Sequence, residues 1–254
     1  MSFYNVVSAS DESTVITEYK PSAKRSDSYQ SEADLEREFI RLLGEQSYEY
    51  LNIKSEEDLI KNLRKKLEQL NNYEFTDGEW KRFFNECMAN PNEGIVEKTR
   101  KIQEDNVQNL KTDAGFTKNI TLIDKKNIHN NKLQVINQYE ATGNYDNRYD
   151  VTILVNGLPL VHIELKRRGV AIKEAFNQID RYQRDSFWAS CGLYEYVQIF
   201  VISNGTNTKY YSNTTRFNHI KDSASRQAKK KEKTSNSFEF TSFWADGNNR
   251  IIPD

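Results

Sequence analysis

Three residues in one short stretch of the chain have types and spacing that suit metal-dependent hydrolysis. Residues 147–169 read NRYDVTILVNGLPLVHIELKRRG and include Asp150, Glu164 and Lys166. Carboxylate oxygens are hard ligands, matched to Mg²⁺ with several of its waters retained. A bound Mg²⁺ lowers the pKa of a water molecule and neutralises charge that develops on a phosphate. A lysine beside that metal would hold or deprotonate the attacking water, so the three residues are candidates for a magnesium-dependent hydrolytic site.

The same stretch has the pattern of a β-hairpin, and the register of this hairpin decides whether the three side chains meet. Side chains alternate between the faces of a strand, so the apolar odd positions, such as Ile153 and Ile163, share one face and the charged even positions share the other. A strict two-residue turn at Asn156 and Gly157 would set Asp150 on the apolar face. We therefore predict a three-residue loop with Gly157 left-handed in a bulge.

A second interpretation of the charged positions is structural. They would then form a solvated sheet face with a cross-strand ion pair, which contributes little to stability. However, Asp150 and Glu164 lie within strands that are otherwise apolar enough to be central, where an unpaired charge is costly. This context favours the functional interpretation.

Periodicity along the rest of the chain predicts the elements that surround the hairpin. Helices are predicted over 31–46 (with Ser31 as N-cap), 55–72, 76–88, 92–105 and 169–185. Strands are predicted over 14–20, 117–124, 132–141, 148–155, 158–166, 196–203, 209–213 and 237–244. Helices on a mixed β-sheet, preceded by an N-terminal helical region, predict an α/β or α+β fold.

Composition excludes several classes of protein. The 36 basic and 37 acidic residues give a net charge of −1, which excludes a uniformly basic nucleic-acid coat but allows a local basic face. No apolar run approaches the ~20 residues of a membrane helix, and the N-terminus lacks the layout of a signal peptide. Cys87 and Cys191 are too few for a disulfide framework and lack metal-ligand spacing, so we expect a reducing cytoplasm.

The residues Asp150 … Glu164-Leu165-Lys166 resemble the PD-(D/E)xK nuclease motif. The likeness extends through 127–182 and covers nearly the whole chain, from SYQSEADLE to FTSFWADGNNRIIPD. Over this length the chain resembles the N-terminal nuclease domain of the R (restriction and motor) subunit of type I restriction–modification enzymes. The resemblance implies a restriction-endonuclease-like fold, in which helices flank a mixed β-sheet, and Mg²⁺-dependent cleavage of double-stranded DNA.

The resemblance also implies roles for individual residues. Asp150, Glu164 and the peptide oxygen of Leu165 would bind the metal, and Lys166 would be the catalytic lysine. The first helix of such domains often donates a glutamate to the site. Glu32 and Glu36 are one turn apart on the predicted first helix, and we prefer Glu36.

Other polar residues near the motif have more than one interpretation. The family's Q-x-x-x-Y motif corresponds to Gln178 and Tyr182, one helical turn apart, which would serve DNA placement or active-site support, or would only pack the helix on the sheet. Arg167 and Arg168 follow the catalytic strand and are candidates for phosphate contacts or are ordinary solvated charge. His162 is interpreted as a structural or DNA-facing residue rather than a ligand.

The leading prediction is therefore a type I endonuclease domain. Its partners would be DNA and the methyltransferase and specificity subunits. Residues 1–254 contain no P-loop motif, so ATP would be used only by motor domains outside them. We predict a nuclease domain over 1–225, with a helical part over 31–110 and a sheet core over 116–215. Residues 226–254 would begin the connection to the motor. They include the basic run 226–233, which we interpret as a solvated loop rather than a DNA-binding arm. The alternatives are a stand-alone nuclease of the same fold, and an inactive domain that binds DNA or docks on partner subunits.

Overall fold

The computed structural model describes residues 4–9, 15–19, 31–143, 146–218, 221 and 237–252. The helices include α1 (Glu32–Glu45), α2 (Glu56–Asn71), α3 (Asp77–Phe83), α4 (Ile95–Gln103) and α5 (Ile172–Asp185), and residues 213–218 are also helical. The strands are β1 (Tyr4–Ala9), β2 (Val15–Tyr19), β3 (Glu49–Tyr50), β4 (Val107–Lys111), β5 (Thr117–Thr121), β6 (Leu133–Thr142), β7 (Asp146–Val155), β8 (Leu158–Leu165), β9 (Ile199–Ser203), β10 (Thr208–Ser212) and β11 (Ser242–Phe243). A π-helical turn over Phe84–Met88 extends α3.

Within the described residues, the main sheet has seven strands in the order β11-β10-β9-β8-β7-β6-β3. The pairs β8–β9 and β3–β6 are parallel, and the other pairs are antiparallel. The hairpins β1–β2 and β4–β5 form two separate sheets. A mixed sheet flanked by helices confirms the predicted α/β class and is consistent with a restriction-endonuclease-like fold.

The central strands of this sheet are covered on both faces. On one face, Leu43 of α1 packs with Val151 and Ile163. On the other face, apolar residues of α2, α3, α4 and α5 and of the β4–β5 hairpin form the larger core. The even positions Thr152 and His162 of β7 and β8 are buried as well. Helices on both faces of the sheet exclude water from these positions, which argues against the alternative in which the even positions form a solvated face.

The β7–β8 hairpin has the predicted pairing of even with even positions, but its turn differs from the predicted one. Val155 pairs with Leu158 across a two-residue turn, and Asn156 and Gly157 have φ of +51° and +84°, as a type I′ turn requires. The predicted three-residue loop is wrong. Parity changes instead at a bulge, where Leu160 has no partner on β7. Beyond this bulge, even positions pair with even positions, such as Thr152 with His162.

Several other elements differ from the sequence prediction. No element was predicted over β4, which follows the helix predicted over 92–105. It pairs with β5, so the strand predicted at 117–124 is not part of the main sheet. The strand predicted over 237–244 begins instead with a 3-10 turn over Ser237–Phe240, and only β11 joins the sheet. The basic run 226–233 lies outside the described residues. Among the helices that the structure describes, none has the length and apolar character needed to cross a bilayer.

Candidate active site

The peptide unit of Leu165 joins the three residues of the sequence motif. Its N–H donates a hydrogen bond to Oδ2 of Asp150 on the neighbouring strand, at 3.0 Å. Its carbonyl oxygen accepts a hydrogen bond from Nζ of Lys166 at 3.1 Å, and the same ammonium donates to Oε1 of Glu164 at 3.1 Å. The structure thus brings Asp150, Glu164 and Lys166 together at the end of β8, as the bulged register allows.

Burial sets the electrostatics of the two carboxyl groups. Glu164 is fully buried, and burial raises its pKa to about 7 despite the opposing charge of Lys166. Burial, and then the neighbouring Glu164 carboxylate, raise the pKa of Asp150 to about 7, against the hydrogen bond from the Leu165 N–H. Two adjacent carboxylates in a poorly solvated site resist ionisation unless a cation compensates their charge.

The oxygen atoms at this site fit a small divalent cation. Within the described residues, no hydrogen-bond donor reaches Oε2 of Glu164, and no group of three or more acidic, histidine or cysteine side chains is arranged to hold a metal. A metal would therefore depend on Asp150, Glu164, the carbonyl oxygen of Leu165 and water. Mg²⁺ is commonly bound by one or two carboxylates with several waters kept, so this donor set suits it.

The glutamates of α1 have different surroundings. Glu32 accepts a hydrogen bond from the backbone N–H of Arg167 at 3.2 Å, and its charge acts on Glu164. Glu36 is buried and accepts hydrogen bonds from the side-chain amides of Asn137 and Gln138 on β6. The structure therefore places Glu32 nearer to the catalytic strand, although Glu36 was preferred from the sequence; a role for either in catalysis stays a prediction.

The hydroxyl of Tyr182 links α5 to the strand that carries Asp150. Tyr182 is buried, its hydroxyl donates to the carbonyl oxygen of Arg148 at 2.8 Å, and it accepts a hydrogen bond from Gln178. Arg148 precedes Asp150 by two residues on β7. Since these groups bond to each other and to the sheet, the arrangement favours active-site support over direct contact with DNA.

The two arginines after the catalytic strand are not equivalent. The side chain of Arg167 is exposed, whereas Nε of Arg168 donates to the carbonyl oxygen of Gly205 at 2.7 Å. Arg168 therefore ties the end of β8 to the loop between β9 and β10. Arg167 is the better candidate for a contact with a phosphate group.

Two features near the site were missed from the sequence. Gln138 has φ of +51°, and it lies on β6 between the residues that pair with Val151 and Tyr149. Val151 and Tyr149 are two residues apart on β7 and would face the same side of a regular strand. They pack in different cores, so the alternation of side-chain faces is interrupted at Asp150. The second feature is Arg216, which is buried against aromatic rings. Neither residue stands in a motif or a periodic pattern that would have singled it out.

Comparison with known proteins gives one family. The family model for the type I restriction enzyme R protein N terminus matches residues 29–219. The chain is 49% identical over 249 residues to the type I restriction enzyme EcoprrI endonuclease subunit of Escherichia coli, which covers 98% of this chain and 74% of that protein. It is 42% identical over 190 residues to the SsaAORF53P endonuclease subunit of Staphylococcus saprophyticus, which covers 73% of this chain but 20% of that protein.

Proposed function

Because the chain belongs to the family of type I restriction enzyme R protein N termini, we propose that it is the domain that cleaves DNA in such an enzyme. The reaction is Mg²⁺-dependent hydrolysis of phosphodiester bonds in double-stranded DNA. The observation that carries this proposal is the arrangement of Asp150, Glu164 and Lys166 around the peptide unit of Leu165.

Each of these groups has a defined task in the proposed reaction. Asp150, Glu164 and the carbonyl oxygen of Leu165 would hold the metal. Mg²⁺, when bound there, would lower the pKa of a water molecule and neutralise charge on the scissile phosphate. The Leu165 N–H orients the Asp150 carboxylate, and Lys166 is held by Glu164 so that its side chain can bind the attacking water as an ammonium or deprotonate it as the neutral amine.

The whole protein would supply functions that these residues lack. The chain spans only about a fifth of the length of the staphylococcal relative it matches, 20%. We propose that ATP-driven motor domains continue the natural polypeptide and that methyltransferase and specificity subunits assemble with it in the cytoplasm. In this proposal residues 1–225 form the nuclease domain, and 226–254 begin the connection to the motor.

Plasmid nicking by the complete subunit that would contain this chain, assembled with its proposed partner subunits and supplied with ATP for the motor, tests this function. We expect nicking that requires Mg²⁺ and is lost in Asp150→Ala, because one of two metal-binding carboxylates is removed. The matched control is Asp105→Ala, which changes an exposed aspartate. Equal nicking by wild type and Asp150→Ala would overturn the proposal, and full activity of the chain without partners would favour a stand-alone nuclease instead.

A further inference from the structure

His162 has no task in the proposed reaction, yet it lies directly behind the carboxylates. It is fully buried, two residues before Glu164 on β8, and its Nε2 is 3.6 Å from Oε2 of Glu164. Within the described part of the chain, neither ring nitrogen of His162 has a hydrogen-bond partner, and neither does that glutamate oxygen. Buried polar atoms without partners are costly and require an explanation. Here a small movement would pair two such groups with each other.

The tyrosines that border the imidazole have other hydrogen-bond partners; Tyr194, for example, shares a hydrogen bond with the hydroxyl of Thr152 at 3.2 Å. The rings of Tyr149 and Tyr182 lie nearly perpendicular to the imidazole, with centroid distances of 5.5 Å and 6.0 Å. The hydroxyl of Tyr149 shares a hydrogen bond with Ser186 at 2.6 Å, and the hydroxyl of Tyr182 donates to the backbone of Arg148. The aromatic contacts fix the plane of the ring, and Glu164 remains the nearby acceptor for one of its nitrogens.

Arg216 also offers the imidazole no acceptor. Its guanidinium lies over Phe187 and Phe200, at 4.9 Å and 5.6 Å, and the same two rings border His162 at 5.5 Å and 6.3 Å. Among the described residues, Nε and Nη1 of Arg216 have no partner. Arginine offers only donors, so it cannot accept a proton from the imidazole. The carboxylate of Glu164 is the acceptor near Nε2.

We infer that His162 is a positioning residue, whose Nε2–H donates to Oε2 of Glu164 and holds the carboxylate with Oε1 toward Lys166. The inference rests on the proposed function, since the orientation of Glu164 matters to the reaction only if Glu164 binds the metal. Hydrogen-bonding partners of metal ligands typically contribute about 10- to 100-fold to metal affinity. His162 would therefore strengthen Mg²⁺ binding without touching the metal.

Two substitutions at this position separate positioning from packing. His162→Phe keeps an aromatic ring among aromatic neighbours but removes the donor, whereas His162→Gln restores an N–H near the position of Nε2. In calorimetric Mg²⁺ titrations of the whole chain, we expect the Phe variant to bind about 10- to 100-fold more weakly and the Gln variant to stay near wild type. Thermal melting checks that both variants fold.

The position of the imidazole proton is a second measurement that needs no metal. In ¹⁵N NMR spectra of the metal-free chain, we expect the proton of His162 on Nε2. A proton on Nδ1 would overturn the inference, and so would wild-type Mg²⁺ affinity in His162→Phe. Absence of Mg²⁺ binding in the wild type would instead overturn the proposed metal-dependent function, and the inference with it.

Discussion

Asp150 is a residue whose charge opposes folding when no metal is bound. Its pKa is raised to about 7, chiefly by burial and then by Glu164, whereas the pKa of an aspartate in an unfolded chain is about 4. The folded state therefore holds the proton more tightly. The metal-free protein loses stability as the pH rises from about 4 to about 7, and the loss is complete above that range.

The variant Asp150→Asn tests this linkage. It removes the ionisable group at nearly constant size, so we expect the metal-free variant to melt above wild type at pH 8, with the difference disappearing by about pH 4. Thermal melting in chelator at several pH values measures this. Mg²⁺ should raise the melting temperature of wild type more than that of the variant.

A matched control is Asp105→Asn, which changes an exposed aspartate and should produce no such pH-dependent gain. An Asp150→Asn difference that is the same at pH 4 and pH 8 would contradict the argument. The raised pKa could not have been derived from the sequence, because it depends on burial by helices on both faces of the sheet.

Arg167 and Arg168 should have separable effects on DNA binding and on stability. Arg167 is exposed, so Arg167→Ala should weaken binding of a short duplex and reduce the dependence of log affinity on log salt by about one. Arg168→Ala removes the contact with Gly205 and should lower the melting temperature instead. Fluorescence titrations at several salt concentrations, beside thermal melts, measure both effects. Unchanged affinity in Arg167→Ala would exclude it as a phosphate contact.

At the level of elements, the sequence predicted α1, α2 and α5 and the paired strands β7 and β8 close to their observed bounds. These elements have caps, regular spacing or a turn dipeptide, which are local signals. The bulge at Leu160 has no such signal, although the need for even-with-even pairing indicated that parity must change somewhere. Tertiary packing also requires a glycine in the turn, because a Cβ at Gly157 would lie 2.6 Å from Cα of Leu63 on α2.

The link between α5 and β7 can be tested by removing one hydroxyl. Tyr182→Phe keeps the buried ring but leaves the Arg148 carbonyl without its donor, which should cost on the order of 1 kcal/mol of stability. Because Asp150 is two residues further along β7, cleavage should also fall, since a misplacement of about 1 Å can cost about 10²-fold in rate. We expect Mg²⁺ affinity to be spared.

The chain offers a matched control for this variant. Tyr211 is equally buried, but in the described residues its hydroxyl has no hydrogen-bond partner, so Tyr211→Phe should leave stability unchanged or raise it. Melting curves, Mg²⁺ titrations and cleavage assays are compared for both variants. Wild-type cleavage in Tyr182→Phe would show that Tyr182 serves only in packing. Loss of Mg²⁺ affinity would show that Tyr182 takes part in metal binding, contrary to our proposal.

For the whole molecule, the sequence predicted the fold class and the three motif residues but not the surroundings that alter their chemistry. The aromatic core around His162 combines residues from β7, α5 and the segments before and within β9, which are far apart in sequence. No local pattern indicates such convergence. The same holds for Gln138 and Arg216, whose importance follows only from their neighbours in space.

In the complete enzyme, the proposed separation of the nuclease from the motor predicts that substitution of Lys166 impairs DNA cleavage but not ATP hydrolysis. Among the residues that the structure describes, its ammonium donates hydrogen bonds to Glu164 and to the Leu165 carbonyl, and the motor would lie outside these residues. In a complete subunit assembled with its partners, Lys166→Ala should reduce DNA cutting by about 10²-fold or more and leave ATP hydrolysis largely intact. The exposed Lys126 supplies the control, since Lys126→Ala should change neither rate. If ATP hydrolysis fell in parallel with cutting, Lys166 would be a folding or coupling residue, because loss of a group that acts only on the attacking water at the cleavage site leaves translocation unaffected.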